Sequence, residues 1–148
     1  MTQDGDILLF QTVDGGEITV NNGLFEMSGG LESMVYLCMF GGNEDDDGSK
    51  DNSNTYWGNL VETEDKYKYV SETQYLLKAL SASSSNLRKI ENAVKNDTKV
   101  LLDEKIAQSV EVSVSIPGLN KLQIVVIINT FDGKTSEFKY IENWKVEL

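Results

Sequence analysis

The chain has 148 residues, of which 40% are hydrophobic and 25% charged, ordinary proportions for a soluble globular protein, and that length supports one hydrophobic core rather than two domains. Its 24 acidic against 13 basic side chains give a formal net charge of −11, which excludes nucleic acid as a partner because the clustered Lys and Arg that bind phosphates are missing. The absence of histidine removes the commonest general base and transition-metal ligand, and a single cysteine, Cys38, excludes an intramolecular disulfide framework.

The opening residues lack the basic and apolar regions of a signal peptide, and no run approaches membrane-spanning length, so a soluble cytosolic chain without membrane contact is expected. Residues 7–12 and 17–20 are short β-prone runs around Asp14-Gly15-Gly16, which reads as an N-terminal hairpin too small to stand alone. After Asn21-Asn22-Gly23 comes a brief extended piece, 24–27, and then an apolar run from Leu31 to Phe40. Ser28 as a cap, Glu32 in the first turn and Gly41 as terminator make that run a helix, with Leu31, Met34, Val35 and Cys38 sharing a face. Tyr36, Leu37, Met39 and Phe40 fill much of the rest, so the helix must be buried, in its own core or partly against a partner, and Cys38 reads as a buried thiol.

Residues 43–54 are polar and acidic and read as a mobile loop. Asn43, Asp45, Asp47, Gly48, Ser49 and Asp51 also fall on ligand positions and the turn glycine of a calcium loop, but the twelfth position is Asn54 where a bidentate Glu belongs. Tyr56-Trp57-Gly58-Asn59 follows, with Trp57 as an anchor back onto the body. Ser71-Glu72-Thr73-Gln74 has the form of a capping box and opens a short helix through Leu80, with Leu76, Leu77 and Leu80 inward.

From Asn86 to about Ala107, Leu87, Ile90, Val94, Leu101 and Leu102 recur at helical spacing, with Thr98 filling the inner stripe and a bend or early end near Asn96-Asp97 left open. Residues 109–116 alternate as a strand and stop at Pro117-Gly118. Leu122, Ile124, Val126 and Ile128 on one side, with Val125 and Ile127 on the other, mark 121–130 as a central strand. Asp132-Gly133 then predicts a tight turn with positive φ at the pair, and Phe138 and Tyr140 alternate with Glu137 and Lys139 in the last strand.

Together these elements predict an α+β fold: an antiparallel C-terminal sheet packed on a long helix, with an N-terminal β-hairpin and shorter helices. One domain is expected, made of an arm at 1–27, an acidic loop at 43–58 and a helix-plus-sheet core at 86–148.

The order of parts resembles the Mu-type phage tail baseplate family, whose members are similar to the small wedge subunit of contractile-tail baseplates. The residues that carry the resemblance are Asp6-Ile7, the run from Gly29 and Gly30 through Leu31, Glu32, Ser33, Met34 and Val35 to Phe40, and Tyr56-Trp57-Gly58-Asn59. It continues in the Leu87 helix, Val110-Glu111-Val112, Phe131-Asp132-Gly133 and Phe138-Lys139-Tyr140, covering about Asp6 to Trp144. The resemblance implies a structural subunit of a virion tail, present in many copies under sixfold symmetry, that contacts larger wedge proteins and the sheath and needs no cofactor. Leu31, Met34, Trp57, Val126 and Phe138 are the expected structural residues. Met34, Phe40, Trp57, Phe138 and Tyr140 are the candidates for partner contact, along with the N-terminal ribbon and the edge of the last strand.

The other readings are a calcium-dependent binding module on Asn43, Asp45, Asp47, Ser49 and Asp51, an unrelated adaptor, and a glycosidase, since some relatives of the wedge subunit carry lysozyme-like labels. A glycosidase needs two carboxylates flanking a cleft, and no Glu here sits in such a setting. An assembly subunit without enzymatic activity is therefore the expectation.

Overall fold

The computed structural model describes residues 6–7, 10–12, 15–25, 27–28, 30–41, 61–64 and 71–145. In chain order the elements are β1 (Asp6–Ile7), β2 (Phe10–Thr12), β3 (Gly15–Glu17), β4 (Val20–Asn21), β5 (Leu24–Phe25), β6 (Met27–Ser28), α1 (Leu31–Phe40), α2 (Thr73–Ala79), α3 (Ser84–Asp103), β7 (Ser109–Ser115), β8 (Lys121–Asn129) and β9 (Thr135–Asn143). The fold is α+β, with an antiparallel three-stranded sheet at the C-terminal end ordered β7-β8-β9.

β8 is the central strand that its pattern predicts, and its pairing aligns Val114, Ile124 and Tyr140 in one row and Val112, Val126 and Phe138 in the next. Directly opposed residues share a face, so Leu122, Ile124, Val126 and Ile128 all point to one side, where each is fully buried. Ile90, Val94 and Leu101 of α3 and Val35 and Met39 of α1 complete the same core. Truncating Ile124 to Ala at such a site costs about 2–5 kcal/mol, the lost transfer energy plus a cavity.

α3 begins where Ser83 accepts a hydrogen bond from the Asn86 amide at 3.2 Å. It does not end near Asn96 and Asp97 but continues to Asp103, and Asp97 turns inward to accept from the Thr73 amide. Thr98 does fill the inner stripe, and its hydroxyl donates to the Val94 carbonyl at 2.8 Å. The helix ends earlier than its spacing predicts: Lys105 adopts φ 56°, and the amides of Ile106 and Ala107 both bond the Leu101 carbonyl. Leu101 takes the inner position, which leaves neighbouring Leu102 exposed.

α1 differs from expectation at both ends. Ser28 does not cap it; Ser28 lies in β6 opposite Asp6, and Gly30, at φ 91°, stands at the N-cap without a side-chain bond. Gly41 ends the helix at φ −80°, its amide bonded to the Leu37 carbonyl at 3.1 Å. The inner face is Val35, Tyr36, Cys38 and Met39, so Met34, expected on that face, is exposed together with Leu37. At the start of α2, Glu72 rather than Ser71 stands at the N-cap, and a carboxylate from α3 accepts the amides of Glu72 and Thr73.

The β8–β9 turn has positive φ at Gly133 only, at 84°, and the Thr130 amide bonds the Lys134 carbonyl at 2.9 Å, so that pair encloses Phe131, Asp132 and Gly133. Thr130 and Gly133 close a turn through the Gly133 amide at 3.1 Å, while the Asp132 carboxylate accepts from the Thr130 hydroxyl and from the Lys134 amide. These bonds hold the Asp132 carboxyl below its ordinary range, the Thr130 hydroxyl first among them.

The N-terminal hairpin forms between β2 and β3, with Thr12 opposite Gly15. A second hairpin joins β4 to β5 across Asn22 and Gly23, at φ 52° and 78°, where a single extended piece was expected. β1 pairs with β6, and β2 passes beside α1 and β9, so the ribbon lies on the body.

Candidate functional site

Among the described residues, no element covers the second face of the sheet. Its rows are Glu111, Ile127 and Glu137; Ser113, Val125 and Lys139; Ser115, Gln123 and Ile141, in which the outward residues on β7 and β9 are exposed. Val125 and Ile127 are only half-buried and lie outside the core cluster, while Ile141 is 47% exposed. The apolar strip runs along the middle of a face whose corners are tied by polar side chains. The Asn129 amide donates to the Ser109 hydroxyl at 2.9 Å, the Thr135 hydroxyl to Asn129 Oδ1 at 2.7 Å, and Lys121 Nζ to Asn143 Oδ1 at 2.6 Å. An apolar centre inside a polar rim is how protein interfaces are built. Among the described residues, no further strand joins the ladder at β7 or β9; β2 runs beside β9 but pairs with β3.

Two carboxylates lie on the inner side. Asp97 accepts from the amides of Glu72 and Thr73, both at 2.9 Å, and from the Thr73 hydroxyl at 2.5 Å. Ser71 Oγ, 3.3 Å from Asp97, donates to the Met39 carbonyl at 2.5 Å. One side chain of α3 thus caps α2 and reaches the bond that ties on the end of α1. Burial pushes Asp97 from 3.8 up to about 6 against the opposing pull of those hydrogen bonds. Glu142 shares a row with Leu122 on the core face, and burial raises it from 4.5 to about 7. Burial also raises Cys38 to about 11, with Asp97 adding to it, so the thiol is poorly ionised.

The contact candidates separate in space. Met34 is exposed on α1, beside Leu37. Phe40 is half-buried, its ring 5.4 Å from Tyr36 and 5.8 Å from Tyr140. Phe138 and Tyr140 turn to the helix layer, with Tyr140 buried, because their register places them opposite Val126 and Ile124. The outward residues of the last strand are therefore Glu137, Lys139 and Ile141, which replace Phe138 and Tyr140 as contact candidates. Asn43, Asp45, Asp47, Ser49, Asp51 and Trp57 lie outside the described residues.

Asp97, Glu142 and Trp144 carry structure that their sequence context hid. Trp144 is fully buried and donates from Nε1 to the Leu80 carbonyl at 2.8 Å. For Asp97 there was a signal: it sits three residues after Val94 and four before Leu101, on the buried stripe. Among the described residues there is no group of three or more acidic or cysteine side chains placed to hold a metal ion, and no helix is long and apolar enough to cross a membrane.

Comparison of the chain with protein-family models, curated proteins and solved structures gives no match.

Proposed function

We propose that this protein is a structural subunit of a contractile-tail baseplate, a small wedge component that acts in tail assembly and sheath attachment by protein contact and performs no chemistry. The observation that carries the reading is the open face of the β7-β8-β9 sheet, an apolar strip of Val125, Ile127 and Ile141 bordered by charge, with both sheet edges free of a further strand among the described residues. Exposed Met34 and Leu37 on α1 and exposed Ile18, Val20 and Leu24 on the arm add further apolar surface. The choice of a baseplate among assemblies rests on the resemblance in the order of parts. Co-expression with the products of adjacent genes tests it: sheath and large wedge proteins should be encoded nearby and should co-purify with the chain. A gene remote from any tail operon, or failure to co-purify with those proteins, overturns the assignment.

A further inference from the structure

We propose that the cleft between the end of α2 and the end of β9 binds a carboxylate presented by a short peptide segment, with Lys78 and Lys145 as its charged contacts. The cleft has a volume of about 760 Å³, within the usual range for ligand sites, and is lined chiefly by Leu77, Lys78, Leu80, Asn86, Asn143 and Lys145. Its floor is a fixed junction. Trp144 Nε1 donates to the Leu80 carbonyl, the Ala82 amide to the Lys145 carbonyl at 2.8 Å, and Asn86 Nδ2 to the Ser81 carbonyl at 2.9 Å. Three segments are thereby held around one opening, which lowers the ordering cost of binding there.

Among the described residues the lining carries two cations and no acid, in a chain with 24 acidic side chains. Neither lysine forms an ion pair among the described residues, whereas Lys95, Lys134 and Lys139 each do. Lys78, in the last turn of α2, also suits the helix dipole; Lys145, beyond β9, has no such reason to be there. The two amides complete a peptide-like pattern. Asn143 Oδ1 is occupied by Lys121 Nζ, which leaves its NH₂ as a donor at the cleft's margin, and Asn86 uses its Nδ2 on Ser81, which leaves Oδ1 as an acceptor for a peptide N–H. Leu77 and Leu80 offer an apolar wall for the neighbouring side chain.

That the carboxylate belongs to a partner protein rests on the assembly reading; the chemistry of the cleft does not. The test is an NMR titration of the full chain with an acetylated Leu-Glu-Leu-Glu-Leu peptide, following the backbone amides of Lys78, Ser81, Asn86, Asn143 and Lys145. Those amides should shift together, and Lys78→Gln/Lys145→Gln, which alters only exposed side chains, should weaken binding by roughly tenfold while leaving the remaining spectrum unchanged. C-terminal amidation and Glu-to-Gln replacement in the peptide distinguish a terminal from a side-chain carboxylate. Equal shifts with a peptide that lacks both, full affinity in the double variant, or no shifts at millimolar peptide would overturn the proposal. Any of these results leaves the open sheet face, tested separately below, unaffected.

Discussion

Asp97 joins three stretches of chain that are distant in sequence: its own helix, the start of α2, and through Ser71 the last turn of α1. Replacing it with Ala strips a cap and leaves the Thr73 amide and hydroxyl without their acceptor in a buried site, so Asp97→Ala should cost about 2–3 kcal/mol by urea denaturation. A loss below about 0.5 kcal/mol, the range of surface changes, would contradict this role. Asp97 and Glu142 also set the pH dependence. Both are raised in the folded protein, to about 6 and about 7, so between pH 4 and 7 the folded state holds more protons than the unfolded one. Their contribution is therefore present in full at acid pH and is lost as pH rises through 6 and 7. Thermal melts should show a higher midpoint at pH 5 than at pH 8, and Glu142→Gln should raise the pH 8 midpoint while changing the pH 5 midpoint little. A midpoint that rises steadily from pH 5 to 8 is the contrary result.

At the scale of elements, the two surfaces of α1 make opposite predictions. Met39 is fully buried and Met34 is exposed, so Met39→Asp should unfold the protein by burying an unpaired charge, while Met34→Asp should keep it folded within about 0.5 kcal/mol. Circular dichroism melts separate the two. The period-2 alternation of β7 and the apolar run of β8 made the sheet legible, because a strand's side chains can face only two ways. Which face is covered was not legible, since Val125 and Ile127 look as apolar as Ile124 and Val126 and nothing local tells them apart. On the α1 stripe Val35 and Cys38 are buried as expected, and only Met34 was misplaced, for a related reason: a run with almost no polar residues gives a weak phase. The cap on α2 was hidden because its acceptor comes from a residue 24 positions away, and a local motif at Ser71 offered a simpler answer. The last strand also carries more of the core than its alternation suggested. Deleting the chain from Thr135 onward would remove Tyr140 and Trp144 along with the edge, so point changes at Glu137, Lys139 and Ile141 are the cleaner probes of that edge.

For the whole molecule, the helices and the sheet's inner face form one core, and outside it lies a sheet face with half-buried Val125 and Ile127 at its centre among exposed polar neighbours. The arm adds exposed Ile18, Val20 and Leu24, and the hairpin tips add exposed Leu119 and Phe131. Under the proposed function these surfaces are the ones that a larger particle would cover. The most direct test is to compare wild type with Val125→Lys/Ile127→Lys for co-purification with the products of adjacent genes, among which the proposed function expects sheath and large wedge proteins, with folding checked by circular dichroism. The double variant should stay folded, since both side chains reach solvent, and should lose binding by at least roughly tenfold, as loss of a central contact does. A double variant that is folded and binds as wild type does, or one that fails to fold because the face is buried after all, would contradict the account.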